Sequence, residues 1–511
     1  MKRYIVALMA LFIGAGAFAQ GEMDAIRLSS GDLRGTARGQ AMGGAFGALG
    51  GDVTGILINP AGLGVYRSSE INVTMALNSA NLKTDWNNTI NKDSKLKFAF
   101  DNVSYIGYYP TGNSSVPVLN FAFSYNRLKN FDRRYSASGQ GMNVSLSNYI
   151  ASITNGIHYK DMNVDGSYDP YSNRSIPWLS TLGWLGYLIN DVSEDSYERL
   201  FAGESVAPRL NINERGYIES YDFSLGTNFS DQLYLGLTFA LTDISYRLNS
   251  SYGEDFLLGK NIGLTNSFET EGGGFQFNFG GIWRPADCLR LGVSFHSPTW
   301  YTLTDYYQGR TTANYEGIEA DTWAKTPDNA LTYYRFSTPY SWVFSAAGIF
   351  GTKAILSLDY ELKDYTGMKL MDNQGTAKED NKYIDEDFRA ASTLRAGFEY
   401  RIDSQLSVRV GYSYAQSPYE QTFRDGKKEA MIVGTVPHYT TEGDVNYYTA
   451  GIGYRFTPRF YIDATWVYRT QKDDLFYFPS IVENGAFNVE SIPASVTNQA
   501  HKGLITLGYK F

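Results

Sequence analysis

Cysteine is almost missing from the chain: Cys288 is the only one in 511 residues. It has no partner for an internal disulfide and stands far from the N-terminal region where a lipid-anchoring cysteine would follow a cleavage site. Long apolar runs are missing too. Past the first twenty residues no uninterrupted run reaches the roughly 18 that suggest a membrane-crossing helix, so helical spans are excluded. Charged residues make up only 19%, and the net charge of −9 provides no basic footprint for nucleic acid. The acidic residues gather in loop-like stretches such as Glu379 to Asp387. The four histidines, His158, His296, His438 and His501, are scattered and suggest no paired axial ligands for haem. No cofactor and no metal are expected.

Aromatic residues are plentiful instead. Forty Tyr, thirty Phe and eight Trp make 15% of the chain, too much for a disordered protein, and glycine contributes 51 residues. A mean hydropathy of −0.30 does not argue against a membrane, because strands that alternate apolar and polar residues average to such a value. The N-terminus reads as an export signal. Lys2 and Arg3 form a basic start, Ile5 to Phe18 an apolar core, and Ala17-Phe18-Ala19 a small-residue cleavage site, so residues 1–19 are expected to be removed.

Period-2 alternation recurs along most of the rest. From Leu406 to Tyr414 every even position is apolar or aromatic and every odd one small or charged. Leu233 to Leu241, Leu289 to His296, Leu394 to Tyr400 and Phe460 to Arg469 repeat the pattern. A soluble sandwich alternates as well, but three features favour a membrane wall. The strands, at 69–82, 97–109, 117–131, 216–229, 232–248, 264–283, 288–307, 337–350, 353–365, 388–401, 405–418, 445–456, 459–472 and 499–511, are joined by alternating long and tight connections. The tight ones fall at Gly112-Asn113, Ser230-Asp231, Pro285 to Asp287, Gly351-Thr352, Asp403-Ser404 and Thr457-Pro458. Outward positions carry aromatics near strand ends, as at Tyr412, Tyr414, Trp466 and Tyr468, where ring and polar tip suit the lipid headgroup level. The last strand puts Ile505, Leu507, Tyr509 and Phe511 on one face, and a terminal aromatic there resembles the signal read by the barrel-insertion machinery.

The expected fold is therefore all-β: a 14-stranded antiparallel transmembrane β-barrel, residues 69–511, in the cell outer membrane with both termini periplasmic. A barrel this wide leaves a lumen that wall side chains cannot fill, so a plug is expected. Residues 20–68 lack strand alternation and are dense in glycine: Gly35 to Leu49, then Asp52, then Asn59-Pro60-Ala61-Gly62-Leu63. This leader resembles that of the FadL/TodX family of outer-membrane transporters for long-chain fatty acids and other hydrophobic compounds. That family carries G-x-x-x-A-x-M-G-G-A-F, an acidic residue, then N-P-A-G-L. The resemblance implies that residues 20–68 form a hatch inside the lumen, with Gly43, Gly44, Asp52, Asn59, Pro60, Ala61, Gly62 and Leu63 as its matching positions.

Inward positions carry charges of both signs, among them Arg290, Arg395, Glu399, Arg409 and Arg469. Most would pair across the lumen, while one arginine could hold a carboxylate headgroup. The third connection, residues 132–215, is the longest. Within it Trp178, Leu179, Leu182, Trp184, Leu185, Leu188 and Ile189 are strongly apolar, at helical spacing, with Pro177 suited to a first helical turn. They read either as a loop packed on itself over the mouth or, as the resemblance implies, as a surface that captures a lipophilic ligand before lumenal binding and hatch-gated release. The family releases ligand sideways through a kink in its third strand, yet Leu119 to Tyr125 contains no Gly or Pro to mark one.

Other readings are an enzyme, for which Ser294 and His296 share a face without a third partner, and a FadL-like subunit of a secretion machine that carries no ligand. The expected partners are a hydrophobic small molecule, outer-membrane lipid and the insertion machinery, with no nucleic acid, and the barrel is expected to be a monomer.

Overall fold

The computed structural model describes residues 21–511 apart from 174, 319–321, 329, 433, 484 and 485. The expected signal segment, 1–19, lies outside the described residues. Strands form where alternate side chains meet different surroundings, and here they meet lipid and lumen. In β11 below, Val410 is 54% exposed on the outer face while its neighbour Arg409 is 7% exposed inside. Among the described residues no helix is long and apolar enough to cross a membrane.

Fourteen antiparallel strands form the wall. They are β1 (Glu70–Trp86), β2 (Thr89–Gly107), β3 (Leu119–Asn130, resumed at Arg133–Ser138), β4 (Ala207–Phe229), β5 (Leu233–Asp255), β6 (Asn261–Ala286) and β7 (Leu289–His296, resumed at Trp300–Asn314). The rest are β8 (Leu331–Ser337, resumed at Ser341–Phe350), β9 (Ala354–Asp364), β10 (Ala390–Arg401), β11 (Leu406–Ala415), β12 (Val445–Arg455), β13 (Phe460–Phe476) and β14 (Ala494–Lys510). Each pairs with its sequence neighbour, and β14 pairs with β1 from Glu70 opposite Lys510 to Asp85 opposite Ser495. That pairing closes the sheet and leaves no edge.

Two of the connections read as long are strand instead. The first is a hairpin turning on Asn87 and Asn88, both at positive φ (47° and 64°), the geometry that matches strand twist. The fifth shrinks to residues 256–260, because β4, β5 and β6 run for 23, 23 and 26 residues where about 9–11 suffice to cross a bilayer. Their outer halves turn the pattern over, with Leu210 and Ile212 buried inside and Arg209 and Asn211 exposed outside, so no lipid-facing apolar stripe marks them in the sequence.

The leader forms α1 (Glu22–Ser29), α2 (Ala37–Ala41), α3 (Val53–Ile58) and a 3-10 turn (Pro60–Val65), all within the lumen. It threads the barrel lengthwise. At one end the Met431 N–H, in a long loop, donates to Glu22 Oε1 at 2.8 Å; at the other Gly64 packs on Thr227, beside the tight turn at Ser230 and Asp231. Phe511 also lies at that tight-turn end, donating to the Ser69 carbonyl. The sequence placed both ends of the mature chain on the tight-turn side, but Gly21 lies at the long-loop end, because the leader starts high in the lumen and runs downward.

Candidate functional site

The lower lumen is closed by backbone laid on backbone. Asp52 caps α3, accepting from the Thr54 N–H at 2.9 Å and from the Thr36 hydroxyl at 2.8 Å. Asn59 caps the 3-10 turn through the Ala61 N–H (3.1 Å), and its amide donates to Gly47 O (2.8 Å) and to Gly281 O of the wall (3.0 Å). Pro60 supplies the fixed φ of a first turn. The Asn59-to-Leu63 segment reaches the wall because the wall has glycine there. A Cβ on Gly236 would stand 2.2 Å from the Pro60 carbonyl carbon, and one on Gly280 would stand 1.9 Å from Asn59 Oδ1. Met42 and Gly43 sit likewise on Gly397 and Gly411, Leu63 on Gly226, and Gly62 against Gly50 of the hatch. Gly44, like Gly43, turns the chain at positive φ. Carbonyls at the end of the 3-10 turn also accept from wall asparagines: Asn120 donates to Leu63 O (2.8 Å) and Tyr66 O (3.1 Å), and Asn228 to Gly64 O (3.0 Å).

Charges fix the seat. Arg38 of α2 meets Glu399 at 2.8 Å; Glu399 also meets Arg409 at 2.6 Å, and Arg409 meets Asp463 at 2.5 Å. Asp359 accepts from the Phe46 and Gly47 N–H groups, both at 3.0 Å. Arg290 donates to Leu49 O, Arg395 pairs with Glu361, and Arg469 donates to Gln471. All five lumenal residues read from the sequence point inward, and all are engaged. Ser294 and His296 do come together, but both meet one hatch carbonyl, Ile58 O, at 2.7 and 2.8 Å. Their role in this geometry is to hold the hatch.

The upper lumen is packed with side chains. In the third connection α4 (Leu146–Thr154) packs on α5 (Trp178–Leu185) across the contact of Ile150 with Gly183. Leu179, Leu182, Leu188 and Ile189 are buried in one apolar cluster with Met23, Ile26 and Leu28 of α1 and with Tyr246 and Phe268 of the wall. Trp178, Trp184 and Leu185 are half-buried at its border. Both indole N–H groups are satisfied, Trp178 by Tyr171 O (3.0 Å) and Trp184 by Asn163 Oδ1 (2.9 Å). This apolar stretch, read either as a loop packed over the mouth or as a capture surface, thus lies mostly inside a cap and leaves Trp178, Trp184 and Leu185 at the border. Glu22 is buried beneath it with Oε2 unpartnered, and burial pushes its carboxyl up to about 8.

Between hatch and cap lie three cavities of about 130, 70 and 250 Å³. The first reaches the wall where β2 and β3 part. These strands pair only from Asn102 opposite Asn126 to Gly107 opposite Phe121. Above that, β3 slips register between Arg127 and Lys129 and breaks at Phe131 and Asp132, and the ladder of its resumed half is with β4 and not with β2. Side chains bridge the parting: Lys95 and Lys97 reach Asp132 at 3.0 and 3.4 Å, and Ser136 donates to Asp93 at 2.7 Å. The third strand is therefore kinked without Gly or Pro. Asp132 makes the break, its N–H turned onto Asn130 Oδ1 and its carboxylate onto β2.

Comparison with known proteins agrees with this architecture. A family model described as outer membrane protein transport protein (OMPP1/FadL/TodX) matches residues 197–511. Outer membrane protein P1 of Haemophilus influenzae is 22% identical over 345 residues, spanning 62% of this chain and 68% of that protein. The 47 kDa outer membrane protein of Pasteurella multocida is 22% identical over 209 residues, 40% of this chain and 45% of the relative. Among solved structures, a FadL homologue of Pseudomonas aeruginosa superposes with a TM-score of 0.53 at 13% identity, covering 94% of this chain and all of the other. The toluene transporter TodX of Pseudomonas putida does so at 0.51 and 13%, covering 94% and 99%. The structural likeness carries the fold, and the family match, reaching from the third connection to the last strand, carries the membership: this chain belongs to the OMPP1/FadL/TodX family of outer-membrane transport proteins, which move hydrophobic compounds across that membrane.

Proposed function

We propose that this barrel moves long-chain fatty acids or closely similar amphiphiles inward and releases them sideways. The observation that carries the reading is the parting of β2 and β3 with a cavity directly behind it, in a barrel whose tight-turn end is shut by a seated hatch. An apolar molecule has no reason to cross a polar seat, whereas a gap in the wall leads straight into lipid. In this account the long loops face outside. A ligand lands at the half-buried Trp178, Trp184 and Leu185, passes the cap as α5 shifts, and occupies the space between α1 and the wall. Residues 20–68 act as the plug, and movement of α1 couples occupancy to the gap. The outer face of β14 and the residue after it, with Leu507, Tyr509 and Phe511 exposed, is the segment that the insertion machinery reads.

Ala99 of β2 lines the cavity at the gap. Replacing it with Trp should lower uptake of a radiolabelled fatty acid about tenfold or more with barrel abundance unchanged; unchanged uptake would exclude release at this place. Mass spectrometry of lipophiles extracted from protein purified in mild detergent separates transport from a role in a secretion machine. Recovery of a fatty acid supports the former, and a stable protein partner with no lipophile supports the latter.

A further inference from the structure

On the outer face of the wall, the ladder registers near the β14–β1 closure set side chains in rows. Tyr412 of β11, Tyr448 of β12, Tyr468 of β13 and His501 of β14 stand in one row, with successive ring centroids 5.3, 6.2 and 5.0 Å apart. Rings with polar tips in such a row mark the lipid headgroup level. Four residues closer to the long loops a second row crosses the seam: Lys472 of β13, Thr497 of β14, Lys83 of β1 and Lys92 of β2. Strand rise and barrel tilt put it about 10 Å above the rings. All three lysines are exposed, while Leu82, Thr84, Gln471 and Asp473 beside them point inward and are buried.

These lysines pair with no carboxylate among the described residues, although exposed cations elsewhere on the long-loop half do: Arg209 meets Asp255 at 2.7 Å, and Arg247 meets Glu269. Two acids share the outer face two residues higher, Asp85 and Asp474, and Asp474 is turned to Arg424 at 3.8 Å. Lys83 and Lys92 stand directly opposite each other, and like charges so placed destabilise a strand pair. An anion lying between them reverses that cost. The row spans three strand spacings of about 4.8 Å each, wider than one phosphate needs and suited to a head that carries two.

Just below the rings the wall is hollowed. Gly503 lies between Leu77 and Trp466, and a Cβ on it would meet nothing within 4 Å. Ala450 and Ala464 on the neighbouring strands are small as well, and together they leave an apolar furrow of about 820 Å³ facing lipid. An acyl chain laid there regains the dispersion contacts that an empty hollow forfeits.

We propose that β13, β14, β1 and β2 form an outer binding site for one lipid of the outer leaflet, a phosphorylated glycolipid. Its phosphates lie on Lys83, Lys92 and Lys472, and one of its acyl chains lies in the furrow at Gly503. The long lysine stems reach down toward the headgroup level while their charges stay in water. The site is on the outside of the barrel, apart from the lumen and the parting of β2 and β3, and a lipid bound there covers the seam that closes the sheet. It rests on the transport reading only for the orientation that sets the long loops outside.

In the test, full-length protein in mild detergent is mixed with diphosphoryl lipid A, with its dephosphorylated form or with phosphatidylglycerol, and bound lipid is counted by native mass spectrometry. The wild type should hold one diphosphoryl lipid A about tenfold or more tighter than either alternative. Lys83→Ser, Lys92→Ser and Lys472→Ser combined should abolish the preference, and the three Lys→Arg changes should keep it. Gly503→Leu, which fills the furrow, should weaken binding and leave the preference for phosphate. A preference unchanged in the triple Ser variant would overturn the proposal, as would phosphatidylglycerol bound as tightly as lipid A. An epitope inserted at Asn87-Asn88 and probed with antibody on intact cells reads the orientation separately. Access there with no lipid A preference overturns this site and leaves the transport reading standing, whereas access only after permeabilisation removes the orientation and the glycolipid with it.

Discussion

At the tight-turn end the lumen is filled by main chain against main chain, with Pro60 on Gly236, Asn59 on Gly280 and Gly43 on Gly411. At the long-loop end it is filled by side chains, with Leu179, Leu182 and Leu188 interleaved with Met23, Ile26 and Leu28. The contrast follows from what each end must do. A backbone seat tied by Arg38, Glu399 and Arg409 has hydrogen-bond partners at defined positions and one arrangement, which suits a seal. An apolar cluster is non-directional, and its members can be exchanged for another apolar body at small cost, which suits a place where ligand enters.

The comparison is broken most strongly by giving the seat a side chain. Gly236→Val puts atoms where Pro60 now lies, so the hatch should unseat and the purified barrel should pass ions in a planar bilayer. A barrel that stays closed would mean that the seat does not seal. Next in size is the cap. Leu182→Ala deletes most of a fully buried side chain, and a loss of roughly 2–5 kcal/mol is expected from the α4–α5 unit. Limited proteolysis should then cut residues 139–206 faster while the wall resists.

The link between the two regions is α1, and its docking should depend on pH. Glu22 has its pKa raised to about 8 in the folded state against 4.5 for the free side chain. The folded form holds the proton more tightly, so docking is strongest below about pH 4.5 and weakens as pH rises through 8. Hydrogen exchange across residues 22–29, corrected for the intrinsic rate, should quicken between pH 6 and 9, and Glu22→Gln should flatten the change. Least disruptive is Asn120→Ala, which removes one of two donors from each of the Leu63 and Tyr66 carbonyls at a cost of about 1 kcal/mol. It should raise hatch exchange at residues 60–66 and leave the cap as it was.

What could be read from the chain alone tracks these same physical divisions. The wall was legible because lipid and lumen impose opposite demands on neighbours such as Arg409 and Val410. That demand stops at the membrane surface, so the outer parts of β1 and β2, with Lys83, Asp85, Lys92 and Asp93 in the paired segment, read as loop although they are paired to the Asn87-Asn88 turn. The kink in β3 was missed because its cause is tertiary: Asp132 is held by lysines on the neighbouring strand. The seat left a usable signal that was passed over. Gly236, Gly280, Gly292, Gly397, Gly411 and Gly451 interrupt strands at inward positions, and glycine inside a strand marks close approach of another backbone.

The measurement closest to the central claim is single-channel recording of the protein lacking residues 21–65, inserted in a planar bilayer. A steady ion-conducting pore, absent in the full chain, is the predicted result, because among the described residues only the hatch spans the lumen at the tight-turn end. A deletion variant that folds and remains closed would contradict the account, since the seal would then belong to the cap.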